Sequence, residues 1–172
     1  MLKDPIVKKV LENIVEGEKN LSIIESLLDG IDTDEKIHEK TKIKLNIVRK
    51  ILYKLYDYGL ASYKRSKDPE TQWFTYSWKF EEEEIYKFIK EDAEKGIKYY
   101  TNLLEKEQNN MFFICPENHL RCDYNEATEF DFICPECGEE LTFKDNTAII
   151  NEYKEAIKIC KENYERFSEK NG

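Results

Sequence analysis

Glycine and proline are scarce in this chain, six and four among 172 residues, which excludes a long flexible or polyproline linker. Apolar runs are short, none nearing the roughly 18 residues that a membrane span needs. The opening Met1-Leu2-Lys3-Asp4-Pro5 lacks the apolar stretch of a signal peptide. We therefore expect an intracellular, cytoplasmic protein with no membrane partner. Histidine occurs only twice, no H-E-x-x-H or H-x-E…C-x-x-C pattern is present, and no nucleophile stands in a recognisable catalytic constellation, so no enzyme is expected. Disorder is excluded by the opposite observation: aromatic residues make up 13%, with eleven tyrosines, too many for a chain without a core. A charged share of 37% beside a hydrophobic share of 40% suits small modules with much surface better than one large core.

Net charge is −9, but it is unevenly spread. Residues 1–80 carry fifteen basic and thirteen acidic side chains, and residues 81–172 carry twelve and twenty-three. Within the first half, residues 36–67 hold ten basic side chains against Glu39 and Asp57. Bulk attraction to nucleic acid is excluded, while one face of the first module remains suited to it.

Periodicity then divides the chain. Asp4-Pro5 opens a helix with proline at its first position, and Ile6, Val7, Val10, Leu11 and Ile14 recur on one face up to Gly17. A second apolar cluster, Leu21 to Leu28, stops at Gly30. Thr33 is placed as an N-cap, with Asp34 and Glu35 at the positive end of a short helix over about 34–40. A longer helix is expected from Asn46 to Tyr58, burying Val48, Ile51, Leu52 and Leu55, with Gly59 just past its end. Leu60 to Arg65 reads as a strand, Lys67 to Glu70 as a turn, and Gln72 to Lys79 as the return strand with Phe74, Tyr76, Trp78 and Phe80 facing the core. Helices, a helix-turn-helix and a hairpin make a winged helix over residues 1–80. Residues 81–110 predict a long charged linker helix, residues 111–145 a ribbon led by the strand Met111–Ile114, and residues 146–172 a final helix. The apolar stripe of that final helix needs a partner, and the linker helix supplies one. The expected fold class is mainly α with small β.

Four of the five cysteines, Cys115, Cys122, Cys134 and Cys137, fall within 23 residues, which in a reducing compartment points to metal before disulfides. Cys134-Pro135-Glu136-Cys137-Gly138 is a zinc knuckle: a C-x-x-C turn aims two thiolates at one ion, and glycine lets backbone N–H groups face the sulfurs. The other half is irregular. After Cys115-Pro116, Asn118 stands where a second cysteine is expected. A four-thiolate site uses Cys115, Cys122, Cys134 and Cys137, a mixed site puts His119 in place of Cys122, and a third reading leaves the site weakened or empty. The metal in question is one structural Zn²⁺, which would supply much of the folding free energy of a segment this small. Cys160 lies on a helix stripe and reads as core.

Arg49, Lys50 and Lys54 on the long helix of the first module, and Lys64, Arg65 and Lys67 on the wing, are candidate phosphate contacts. The helix lacks the polar side chains of a base-reading surface. Trp73, near the wing tip, is exposed if Trp78 is inside, and is a candidate stacking or interface residue. The alternative is a sequence-specific winged-helix regulator with a structural zinc ribbon, which would need a dimer and base-reading side chains.

Three stretches carry a resemblance. They are Asn46 to Arg65, Trp73 to Trp78, and Phe112–Pro116 with His119–Arg121, Glu126-Ala127 and Phe132–Gly138. Together and in this order they resemble the archaeal transcription factor E family and the N-terminal half of the alpha subunit of eukaryotic general transcription factor IIE, over nearly the whole chain. The resemblance implies a basal transcription-initiation factor that binds the clamp and stalk of RNA polymerase, meets TATA-binding protein in the preinitiation complex, lies near melted promoter DNA in the nucleoid, and leaves room for a beta-type partner subunit. It implies no catalytic residues. This chain departs from the family pattern at Asn118, where the family has cysteine.

Overall fold

The structure is a computed structural model that describes residues 1–67, Pro69 and 72–168. Asp68 and Glu70 of the expected turn, and the last four residues of the expected final helix, lie outside the described residues. The chain falls into two compact units, one comprising Met1–Lys90 with Phe167 from the far end of the chain, the other Glu91–Arg166.

The first unit begins with α1 (Pro5–Ile14), where the Asp4 side chain accepts from the Ile6 N–H at 3.0 Å and Pro5 occupies a position that needs no donor. A 3₁₀ turn (Glu18–Asn20) leads into α2 (Leu21–Leu28). Then α3 (Asp34–Thr41) starts at Thr33, whose hydroxyl accepts from the Lys36 N–H at 3.5 Å. The turn into α4 (Leu45–Asp57) is pinned by His38, whose Nδ1 donates to the Ile43 carbonyl at 2.6 Å. The end of α4 is closed by paired backbone bonds, Leu60 N–H to Leu55 O and Gly59 N–H to Tyr56 O, around Gly59 at φ 71°. Such a cap requires a left-handed residue, and it delivers buried Leu60 to the start of β1 (Ala61–Lys67).

That strand pairs antiparallel with β2 (Phe74–Phe80), from Ala61 opposite Phe80 to Lys67 opposite Phe74. The Trp78 N–H donates to Asp32 O at 2.7 Å, fastening the hairpin beside the helix-turn-helix. Val7, Leu11, Ile24, Ile37, Val48, Leu52 and Leu55 are fully buried in the core. The alternation expected along β2 holds at its root, where Phe80 and Trp78 are buried, and fails at its tip, where Phe74 is 47% exposed. The wing leaves the helical core towards its tip, and Phe74 is instead covered by the Arg65 guanidinium, 3.5 Å from the ring centre.

A single helix, α5 (Glu84–Asn109), follows. Its first turns place Ile85 and Ile89 in the first core, where Tyr86 stacks on Phe167 of α7 (Thr147–Ser168) at 5.9 Å. In the second unit, α5 packs on α7 through Tyr100 and Tyr153, 6.1 Å apart, and through Gly96, where an added Cβ would stand 2.8 Å from Cys160 Sγ. A small sheet has the order β4 (Arg121–Asp123), β3 (Phe112–Ile114), β5 (Thr142–Lys144), all antiparallel. Between β4 and β5 lies α6 (Tyr124–Glu129), opened by a capping box in which Asp123 and Glu126 satisfy each other's backbone N–H. Glu107, 6% exposed, ties three segments: Arg121 grips it with two bonds of 2.8 and 3.1 Å, and the Asn146 amide donates to its carboxylate and its carbonyl at 2.9 and 2.8 Å. The protein is mainly helical, with a winged helix in the first unit and a ribbon-like sheet in the second. Among the described residues no helix is long and apolar enough to cross a membrane.

Candidate metal centre and candidate nucleic-acid face

Two hairpin knuckles project from the ribbon sheet. The first follows β3 and is closed by the Cys115 N–H on Leu120 O at 2.9 Å. The second follows α6 and is closed by the Cys134 N–H on Glu139 O at 2.8 Å. Both span the same number of residues, yet they turn differently. In the second, the left-handed residue is Gly138 (φ 76°), directly after Cys137. In the first it is Asn118 (φ 59°), directly before His119, a residue type that tolerates this conformation. The first knuckle therefore offers its second side chain one position later, and it is the longer imidazole.

These turns bring Cys115, His119, Cys134 and Cys137 together, with their ligand atoms all within 4.8 Å of one another. Cys115 Sγ lies 3.5 Å from Cys137 Sγ and 3.6 Å from His119 Nδ1. A tetrahedral zinc with bonds of about 2.3 Å to sulfur and 2.0 Å to nitrogen has edges of about 3.5–3.8 Å. The donor set and its spacing fit such an ion. Cys115 and Cys134 are buried, while His119 and Cys137 are exposed. Burial opposes ionisation of Cys134, but the backbone N–H groups of Cys137 and Glu136 facing its sulfur win, and its pKa falls to about 7. The Glu139 N–H favours the Cys137 thiolate, yet burial and the neighbouring Cys115 and Cys134 sulfurs raise that thiol to about 11.

Cys122 stands apart from this group. It lies on β4 directly opposite Phe113, is 1% exposed, and its sulfur is 3.9 Å from the Phe113 carbonyl. It packs with Ala127 and Leu141 beneath Phe113 and Phe132. Burial is the main cause that pushes its thiol pKa up. What separates Cys122 from His119 is that residues 121–123 form a strand whose pleat turns residue 122 into the small core; a loop would have left either free to reach the ion.

On the winged helix, the expected basic surface divides in two. The α4 cations are held by acids of the same unit: Arg49 bonds Asp34 and, at 3.1 Å, Glu35, while Lys50 and Lys54 share Glu16 at 2.7 and 2.9 Å. Those two ammonium groups hold the Glu16 pKa down at about 2. The wing differs. Among the described residues no carboxylate pairs with Lys64, Arg65 or Lys67, and Arg65 and Lys67 flank the Phe74 ring. Trp73 is 77% exposed. Between α3, α4 and the wing lies a cleft of about 550 Å³, lined by Asp34, Arg49, Tyr53, Trp73, Tyr76 and Trp78. Sequence reading did not foresee Glu16 or the Asp34–Glu35 pair as covers for α4, because Lys50 and Lys54 lie 34 and 38 residues from Glu16.

A family model described as TFIIE alpha subunit matches residues 5–109. The chain is similar to a protein named transcription factor E from Methanobrevibacter smithii, 61% identical over 170 residues, which covers 99% of this chain and 98% of that protein. It is similar also to proteins of the same name from Methanosphaera stadtmanae, 46% identical over 89% of this chain and 86% of that one, and from Methanocaldococcus jannaschii, 44% identical over 94% and 95%.

Proposed function

We propose, for a chain that belongs to the family of the TFIIE alpha subunit and transcription factor E and is a transcription initiation factor, that it binds RNA polymerase in the preinitiation complex and favours the melted promoter. The observation that carries this reading is the division of the basic surface. A recognition helix whose cations are held by Glu16, Asp34 and Glu35 is poorly suited to reading duplex bases. A wing with Lys64, Arg65 and Lys67 beside exposed Trp73 and Phe74 suits a single strand, where cations track phosphates and rings stack on bases. The same division weighs against a sequence-specific regulator, which needs its recognition helix for base contacts.

By holding the displaced strand and the polymerase together, the protein gains affinity only for the open arrangement, and it shifts the equilibrium by that difference alone. TATA-binding protein and a beta-type subunit belong to the same proposed assembly. Cys115, His119, Cys134 and Cys137 hold one structural zinc, which supplies charge and cross-linking to the ribbon and no chemistry.

The test is Lys64→Glu with Arg65→Glu. Permanganate reactivity of thymines in the promoter bubble is expected to fall about tenfold with the zinc content unchanged, two reversed charges being worth a few counterion contacts. Undiminished reactivity would remove the wing from the mechanism.

A further inference from the structure

We propose that Cys115 and Cys137 form an oxidation site, where peroxide joins them in a reversible disulfide that takes over from the metal as the cross-link of the ribbon. This goes beyond the structural zinc assigned above and concerns what two of its ligands do under oxidation. Two observations carry it. The Cys115 and Cys137 sulfurs, 22 positions apart in the chain, lie 3.5 Å from each other, so rotation of two side chains brings them to the roughly 2.0 Å of a bond. They also differ in access. Cys137 is exposed, while Cys115, at the root of the other knuckle, is 0% exposed. A reachable sulfur beside a sheltered one is the arrangement of an attacking and a resolving cysteine.

The remaining cysteines are placed otherwise. Cys134 is 1% exposed, and the backbone N–H groups of Cys137 and Glu136 face its sulfur. Cys122 is buried beneath Phe113 and Phe132. Cys160 packs against Gly96 of α5. The Cys137 thiolate attacks one oxygen of hydrogen peroxide and breaks the O–O bond, which leaves a sulfenic acid and a hydroxide that is protonated to water. The Cys115 thiolate then attacks the Cys137 sulfur. The S–S bond forms as hydroxide leaves and is protonated to a second water. The two sulfurs give up two electrons, and the peroxide accepts them. Two of the four donors are then gone, and a zinc held by them is lost. The new bond nonetheless joins the same two knuckles, and a thiol that reaches Cys137 reverses it by exchange.

The experiment treats the zinc-loaded full chain with hydrogen peroxide. It follows metal release with a chromogenic chelator and maps disulfides by mass spectrometry after alkylation. Zinc should be released, with Cys115 joined to Cys137 and with Cys122 and Cys160 alkylated. Dithiothreitol with added zinc should restore the starting state. Cys137→His keeps a fourth donor but no exposed thiol, and should slow release about tenfold or more, because the attackable sulfur is gone. Cys122→Ala and Cys160→Ala should release zinc as the parent does. A Cys134–Cys137 bond, oxidation that begins at Cys122 or Cys160, or irreversible oxidation of Cys137 to the sulfinic acid without a disulfide overturns the proposal. So does release from Cys137→His at the parent's rate. If that variant fails to hold zinc, the bond mapped in the parent decides. A parent chain without zinc defeats the metal reading alone, and the Cys115–Cys137 bond, present or absent, then decides this one.

Discussion

In the winged helix the buried residues are aliphatic and aromatic, drawn from α1 to α4, the hairpin and the first turns of α5. In the ribbon the buried cluster is Cys115, Cys122, Ala127, Cys134 and Leu141, with two prospective metal ligands among its five members. One region can hold itself together by keeping apolar surface from water. The other has little apolar surface, and its sulfur and imidazole cluster could hold a metal ion that would cross-link it. The contrast extends to the rings: on the wing Phe74 stands beside the Arg65 and Lys67 cations, and in the ribbon Phe113, Phe132, Phe143 and Tyr124 pack on one another.

The largest expected effect breaks the comparison at its metal. Cys134→Ser, or chelation, is expected to abolish amide protection across residues 111–145 while α1 to α4 stay protected, since structural zinc contributes on the order of 10 kcal/mol to domains of this kind. Persistent protection in the ribbon would mean that it folds without metal. The same assay sharpens the ligand set. His119→Ala should lose zinc readily to a competing chelator and Cys122→Ala should retain it, whereas the reverse order would give the fourth position to Cys122.

Next in size is Leu52→Ala, which empties part of the fully buried α4 face and is expected to cost about 2–5 kcal/mol. Denaturant melting followed by the Trp78 fluorescence should shift, and zinc content should not. A coupled loss of zinc would show that the two regions are not independent in stability.

A smaller effect is expected at Glu107, where polar burial supplements the ribbon's meagre core. Burial works against its carboxylate charge, but the bonds from Arg121 and Asn146 outweigh it and lower its pKa. A lowered folded pKa contributes stability that is complete above the ordinary carboxylate value and is lost as pH falls through the lower folded value. Glu107→Gln should therefore destabilise the second unit at neutral pH by about 1–3 kcal/mol, less than a fully buried pair because Arg121 keeps some solvent contact. The difference from the parent should vanish in acid. A constant difference down to acid pH would deny the ion pair its role.

The smallest concerns Glu16. With its pKa near 2, its pairs with Lys50 and Lys54 should survive until pH falls through that value, and a carboxyl titration near 4.5 by NMR would mean that they do not form. Glu16→Gln should barely alter folding, but should raise affinity for random duplex DNA a few-fold by exposing about two cations.

Much of this was legible in the residues. Thr33, Gly59 and the buried stripe of α4 follow local rules of capping and periodicity, so α3 and α4 lie within a residue of their expected bounds, while α5 begins at Glu84, three residues after its expected start. The C-x-x-C-G knuckle is equally local. The exposure of Phe74 was not legible, because alternation marks a face of the strand and not how far the core extends along it. Nor was the gathering of His119 in place of Cys122, which follows from the left-handed turn at Asn118 and the pleat of β4.

By itself the sequence determined two modules, their order, the helices and hairpin of the first, and a sulfur-rich centre in the second. It could do so because those features arise between residues a few positions apart, where spacing and geometry are nearly the same thing. Tertiary structure decided which four side chains converge, that the α4 cations are paired with acids while among the described residues the wing's are not, and which rings reach solvent. Each of these depends on distances through space between segments far apart in the chain, and those distances are set only when the chain has packed.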